Sequence, residues 1–524
     1  MRQPFRSSTS TALTTLLLTS LLLACGGGGG GDSGNDEGSD NPYVQRTASA
    51  NGKAAICAAP RRGNDPYNGN QPYPDRQGSI DDEKKWVRAF MGDIYLWYRE
   101  IPSVNAAPYT ASNYGSVTDA LDAYFQDLKT RQTTASGRLK DEFSFTYSTA
   151  LFNAQSRSGV EIGYGMQVAL LATQPPREAV IVYTDPNTPA AGQHIDRGAE
   201  ILAVDGVDLV YDDSQSGIDT LNAGLFPEVQ GESHQFTIRD YGSDSSRSVT
   251  LTAVAANSVP VQKVQSYTAG SSKVGYLLFT QHIATAEGEL INAITQLRDA
   301  GISDLVLDMR YNGGGYLDIA SELAYMIAGP ARTTGRTFEK LSFNDKNPLA
   351  TQTDTVTPFH TTAQGFDPSV TSGSSLPTLN LPRLFMLTGS GTCSASEAVI
   401  NGLRGVGVNV VLIGDTSCGK PYGFFPTDNC GLSYFAIEFA GVNDQGFGDY
   451  ADGFDPNCYV SDDFGHALGD RNEALLATAL GYRSSGSCTT ASSRAASFDE
   501  NHGAHEPMKL LRSPLRENRF FRRR

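Results

Sequence analysis

The stretch GTCSASEAVINGLRGVGVNVVLIGDTSCGKPYGF, residues 391–424, concentrates the residues of this chain that could do chemistry. A strand-like run, FMLTG, ends in a tight Gly/Ser turn, and a helix follows. Ser394 then stands at a helix N-terminus, where unpaired backbone N–H groups and the helix dipole favour negative charge. The bland alternative is that Ser394 or Ser396 is a plain N-cap with Glu397 completing a capping box. A serine nucleophile needs a base. Lys420 lies between Gly419 and Pro421 at the end of the apolar run VVLIGD, the edge of a parallel sheet where function collects. Burial penalises its charged form. To act at neutral pH it must fall from about 10.4 by about 3 units, roughly 4 kcal/mol of desolvation.

A third cluster, LDMRYNGGGYLD (307–318), places three glycines between a strand and a helix. Such a run exposes backbone N–H groups. A phosphate cradle competes, but the GxxxxGK[ST] pattern is missing. An oxyanion hole fits better, because acyl transfer needs donors aimed at a developing alkoxide. The chain has seven histidines, so a Ser-His pair using His282 or His466 is a further arrangement.

The elements that must position these residues begin near residue 262. KVGYLLFTQ, DLVLDMR, PRLFMLTG and VNVVLIGD read as strands. ATAEGELINAITQLRDAG, YLDIASELAYMIAG and SASEAVINGLRGVG read as helices between them. That alternation predicts an α/β domain with a largely parallel sheet over 258–485. Residues 151–257 are different. Short β-branched runs (AVIVYTD, AEILAVDGVDLV, SHQFTIRDYG, SVTLTAVA) separated by turns predict a small β-rich module. Residues 76–150 predict a small helical domain. One helix is capped by Ser79, with Trp86, Phe90, Ile94 and Trp97 on one stripe, and a second covers SVTDALDAYFQDLKT.

The ends read as export and tether. Arg2 and Arg6 precede the apolar ALTTLLLTSLLLA, which is too short to span well, and Leu22-Leu23-Ala24-Cys25 looks like a bacterial lipobox. The expectation is a signal peptide over 1–24, lipid on Cys25, and a Gly/Ser/Asp tether over 25–75. The protein would then be lipid-anchored in a bacterial cell envelope. Residues 486–524 form a Ser/Ala-rich and then basic tail. It is expected to be disordered or to lie on an acidic surface, either anionic lipid or the protein itself. The net charge of −16 argues against a nucleic-acid partner. Six cysteines remain after Cys25. Spacing favours the pairs Cys418–Cys430 and Cys458–Cys488, and no metal-ligand spacing is present.

Taken together, DMRYNGGG, SASE and the Gly-Lys turn resemble, in that order, the carboxyl-terminal processing (tail-specific) serine proteases, over roughly residues 80–485. The β-rich module resembles a PDZ domain. The resemblance implies a ClpP/crotonase-like catalytic fold. It implies Ser394 as nucleophile, Lys420 as base, and the backbone N–H groups of Gly315 and Ala395 as oxyanion donors. It implies a carboxylate-binding loop at Gly163, Tyr164 and Gly165, protein or peptide substrates, and no cofactor. Two departures stand out. Many members carry a glutamine four residues past the lysine, where this chain has Phe424, and Pro421 replaces the usual glycine. Tyr422, Asp415 and Glu438 are then candidates to orient Lys420. Cys393, directly before the nucleophile, is also unexpected for this family, and Cys418 is a candidate partner for it. The missing glutamine also supports a second reading, a catalytically inactive envelope protein that captures peptides.

Overall fold

The computed structural model describes residues 50–351, 355–488 and 508–511. The expected signal peptide, Cys25 and the first part of the tether lie outside the described residues. No helix among the described residues is long and apolar enough to cross a membrane.

The helical layer opens with α1 (Ile80–Ile94). Ser79 caps it in extended geometry, and Asp82 reaches back to the Ser79 N–H at 3.1 Å. Its buried stripe, Trp86, Phe90 and Ile94, packs with Phe125 from the helix Val117–Asp127. Trp97 lies beyond the helix. The chain turns extended at Tyr95, whose hydroxyl donates to buried Asp141 at 2.6 Å, while Leu96 N–H bonds Ile437 O at 2.8 Å. Tertiary partners therefore end α1 earlier than the aromatic stripe suggested. The layer shares its core with Leu432, Tyr434 and Ile437 from late in the chain.

Residues 50–75 differ from the expected tether. Cys57 is bonded to Cys430, and Arg61 pairs with Asp75 and Asp428 at 2.9 and 2.7 Å. Composition reads this stretch as loop, but covalent and ionic partners some 370 positions away fix it to the body.

The β-rich module is an antiparallel sheet. Its order runs Ser246–Thr252, Ser233–Arg239, Glu200–Val204, Glu178–Thr184, then β1 (Met166–Ala172). Alternate side chains face two cores. Val168, Leu170 and Ile181 meet the helix Gln215–Leu225, whereas Ala169, Val180 and Val182 pack with the mostly parallel second sheet. This is the period-2 division expected of a strand buried on both faces.

The second sheet contains β2 (Ser272–Phe279), β3 (Asp304–Asp308), β4 (Arg383–Thr388) and, after helix α2 (Ala395–Gly405), β5 (Asn409–Gly414). These four run parallel in that order, with antiparallel Val261–Ala269 beside β2 and short parallel Cys458–Tyr459 beside β5. Ala286–Asp299, Leu317–Ala328 and α2 cover one face, and Ala474–Ser485 the other. The fold class is the α/β one that the alternation predicted. Of the described tail, Lys509–Leu510 (β6) adds antiparallel to β1.

Candidate active site

Adjacent parallel strands end on the same edge of the sheet, so the turns after β4 and β5 meet. Thr388 pairs with Gly414 at the last register position, and the chain beyond each strand carries Ser394 and Lys420. The Cys393–Cys418 disulfide joins these two turns, with Cα atoms 5.2 Å apart. Spacing had favoured Cys418–Cys430. The actual partners are Cys393 for Cys418 and Cys57 for Cys430; adjacency of β4 and β5 brings the first pair together, and the second joins segments 373 positions apart. Cys458–Cys488 forms as spacing suggested.

Ser394 is the first residue before α2, with φ +57° and ψ −115°. The capping serines Ser79 and Ser116 are extended, at φ −135° and −145°. A non-glycine residue held at positive φ costs about 1–3 kcal/mol and points to function. Glu397, one turn on and fully buried, holds the turn in place. Its Oε2 accepts the Ser394 N–H at 3.0 Å and the Lys420 N–H at 2.8 Å. Its Oε1 accepts the Ser417 hydroxyl at 2.6 Å and the Gly419 N–H at 2.8 Å. Burial pushes the Glu397 carboxyl up from its ordinary value, while these four donors pull the other way. The sequence offered Glu397 only as a capping-box residue. Its grip on residues 417–420 is tertiary, and the S-x-x-E spacing is the one signal that could have singled it out.

Lys420 is buried, at 9% exposure. Its Nζ sits 4.2 Å from the centroid of Phe424 and 5.4 Å from that of Phe143. Phe424, the residue at the usual glutamine position, therefore forms the wall beside the amine. Of the other candidates, Tyr422 packs edge-on against Trp97 at 4.9 Å, Asp415 is exposed, and Glu438 is buried and accepts Asn347 Nδ2 at 3.3 Å.

The glycine run lies against the serine turn. A Cβ on Gly314 would come within 2.9 Å of Ser394 Cβ and Ala395 N. At φ +96°, only glycine fits there. Buried Asn312 holds the run: its Oδ1 accepts the Gly314 N–H at 3.0 Å, and its backbone carbonyl accepts Cys393 N–H and Ser396 Oγ–H. His282 braces the other side. Its N–H bonds Gly314 O, and Tyr316 N–H bonds His282 O. The bridge uses the residues flanking Gly315, so the Gly315 N–H faces away from His282.

His282 is fully buried, with Nδ1 3.0 Å from Asn312 Oδ1 and Nε2 without a hydrogen bond. Burial lowers it to about 4, so the ring is neutral. His466 sits elsewhere, paired with Asp463 at 2.8 Å and close to Arg197. Ser394, Lys420, Gly315, Ala395 and His282 all line one cavity of about 880 Å³, and His466 does not. Gly163, Tyr164 and Gly165 reach the same cavity from the β-rich module. Gly165 has φ +75°, and Tyr164 donates its hydroxyl to Gly224 O at 2.9 Å.

Residues 273–428 match the Peptidase family S41 domain, and residues 82–145 match the Peptidase S41 N-terminal domain. The chain is 30% identical over 175 residues to a carboxyl-terminal-processing protease of Picosynechococcus sp. (strain ATCC 27264 / PCC 7002 / PR-6), covering 32% of this chain and 39% of that one. It is 26% identical over 221 residues to the protein of the same name from Synechocystis sp. (strain ATCC 27184 / PCC 6803 / Kazusa), covering 42% and 44%. The matched stretch thus spans about two fifths of these curated relatives. In three dimensions the chain resembles a Bacteroides fragilis NCTC 9343 protein assigned to the S41 proteases. The TM-score is 0.56 and the identity 24%, over 79% of this chain and 98% of that one, a likeness of fold.

Proposed function

We propose, from the match of residues 273–428 and 82–145 to the two peptidase S41 domains, that the chain is a serine endopeptidase working through a Ser394–Lys420 dyad. One observation carries this reading: a single carboxylate oxygen of Glu397 accepts both the Ser394 and the Lys420 backbone N–H. A strained serine and a buried lysine are thereby fixed on the wall of one cavity.

In this mechanism neutral Lys420 takes the proton of the Ser394 hydroxyl. The oxygen attacks a peptide carbonyl, and the Gly315 and Ala395 N–H groups hold the resulting oxyanion. The lysine then protonates the leaving amine, and water hydrolyses the acyl-enzyme. The Phe143 and Phe424 rings flank the amine, with Nζ 5.4 and 4.2 Å from their centroids. Substrates are unfolded or C-terminal protein segments. They are recruited by the PDZ-like module through the Gly163–Tyr164–Gly165 turn and the outer edge of β1, as extended peptides add to a sheet.

A fluorophosphonate probe tests the dyad. Labelling should vanish in Ser394→Ala, fall at least tenfold in Lys420→Ala and persist in His282→Ala. Loss in His282→Ala with retention in Lys420→Ala transfers the base role to the histidine. Absence of labelling in the folded wild type, with peptide binding retained, favours the inactive peptide-capturing protein.

We further propose that the protein is lipid-anchored through Cys25 in a bacterial envelope, on the lipobox-like sequence alone. Cys25→Ser should move the protein from the membrane to the soluble fraction on cell fractionation. An unchanged distribution rejects the anchor.

A further inference from the structure

The tail was expected to be disordered or to lie on an acidic surface. Met508–Leu511 instead continues the β-rich sheet. Lys509 is opposite Leu170 and Leu510 opposite Ala169, antiparallel, and Leu511 N–H bonds Val168 O at 2.8 Å. Gln167 Nε2 donates to Leu511 O, also at 2.8 Å. The segment therefore runs toward Met166 and the Gly163–Gly165 turn, the direction in which a peptide adds beside a carboxylate-binding loop. Its side chains alternate between faces. Leu511, 4% exposed, enters the module's own core, and Leu510, 6% exposed, enters the core shared with the catalytic sheet.

Two of these residues, Met508 and Leu510, touch the serine turn. Ser390 Oγ–H donates to Met508 O, and a Cβ on Gly391 would lie 2.6 Å from Leu510 Cδ1. Both leucines line the cavity that holds Ser394. The chain runs on past Leu511 to residue 524, so the occupant is an internal segment and not a free carboxylate.

We propose that the chain's own Met-Lys-Leu-Leu segment fills the peptide groove along β1 in cis, and that an incoming segment must displace it. This rests on the PDZ-like recruitment reading above. One strand edge accepts one partner strand, so occupancy is exclusive. A segment on the same chain acts at an effective concentration in the millimolar range. The partner that fits is an extended segment with adjacent leucine-type side chains, one for each core, able to continue beyond the groove.

The test uses the full chain with Ser394→Ala, so that nothing is cleaved, and a fluorescein-labelled peptide Met-Lys-Leu-Leu-Arg-Ser read by anisotropy. Adding Leu511→Asp should free the groove and tighten peptide binding at least tenfold. A second chain with 508–511 replaced by Gly-Ser-Gly-Ser should do the same, and a peptide with Asp for both leucines should bind neither. Equal affinity for the intact and altered tails, or no binding by any chain, overturns the proposal. The readout is independent of the dyad, whose own failure shows in the fluorophosphonate experiment on the chain with Ser394 intact.

Discussion

At the scale of single residues, Glu397 does more than cap a helix. Four donors converge on its two oxygens from both turns of the site. Glu397→Gln would aim an amide NH₂ at one set of donors and leave buried N–H groups unmet, at about 1–3 kcal/mol for each unsatisfied group. The expected outcome is a Tm lower by several degrees and a kcat reduced at least tenfold, with KM little changed, because geometry is lost and not the groove. Unchanged steady-state kinetics would show that the serine and lysine hold their places without this carboxylate.

At the scale of elements, the site is a meeting of two strand ends. The disulfide Cys393–Cys418 and Glu397 bind the same two turns by independent means. Cys393→Ser with Cys418→Ser removes a cross-link over a separation of 25 residues, and such loops contribute about 3 kcal/mol. Thermal denaturation should show the lost stability, while turnover at 25 °C should persist because Glu397 still spans the turns. Abolished turnover in a folded protein would make the disulfide the positioning device. This scale was also the most legible in the sequence. VNVVLIGD and SASEAVINGLRGVG carry the periodicity of a buried strand and of a one-faced helix, and local patterns report local structure. The serine and lysine turns were legible because each sits at a strand end. The partners that cross the chain were not. Neither the spacing of Cys430 nor that of Arg61 announces contacts with residues far away in sequence, and nothing local shows that Phe424 flanks the amine.

At the scale of the whole molecule, the β-rich module and the catalytic sheet meet in a buried ionic network. Arg197, from the module, bonds Asp462 at 2.5 Å and Tyr311 at 2.6 Å. Arg310, two residues before Asn312, bonds Asp308, Asp462 and Glu473. Burial pushes Asp462 up, but Arg197, Arg310 and the hydrogen bonds outweigh it and hold it at about 2. A carboxylate depressed on folding stabilises the native state above its ordinary value near 4, and this is lost as pH falls from about 4 to 2. Arg197→Ala removes one of the two cations, so Asp462 should rise. Acid unfolding, followed by circular dichroism, should then begin at a higher pH than in the wild type. An unmoved acid transition would mean that Arg310 alone sets this charge.

The shared oxygen of Glu397 also has a consequence for protein engineering. Because one acceptor ties residue 394 to residue 420, neither turn is a separable cassette. Recombining this protein with a relative, for instance to install the glutamine that Phe424 displaces, should succeed only when both turns are exchanged together with Glu397 and Ser417. A chimera that imports the lysine turn alone inherits donors spaced for a different acceptor.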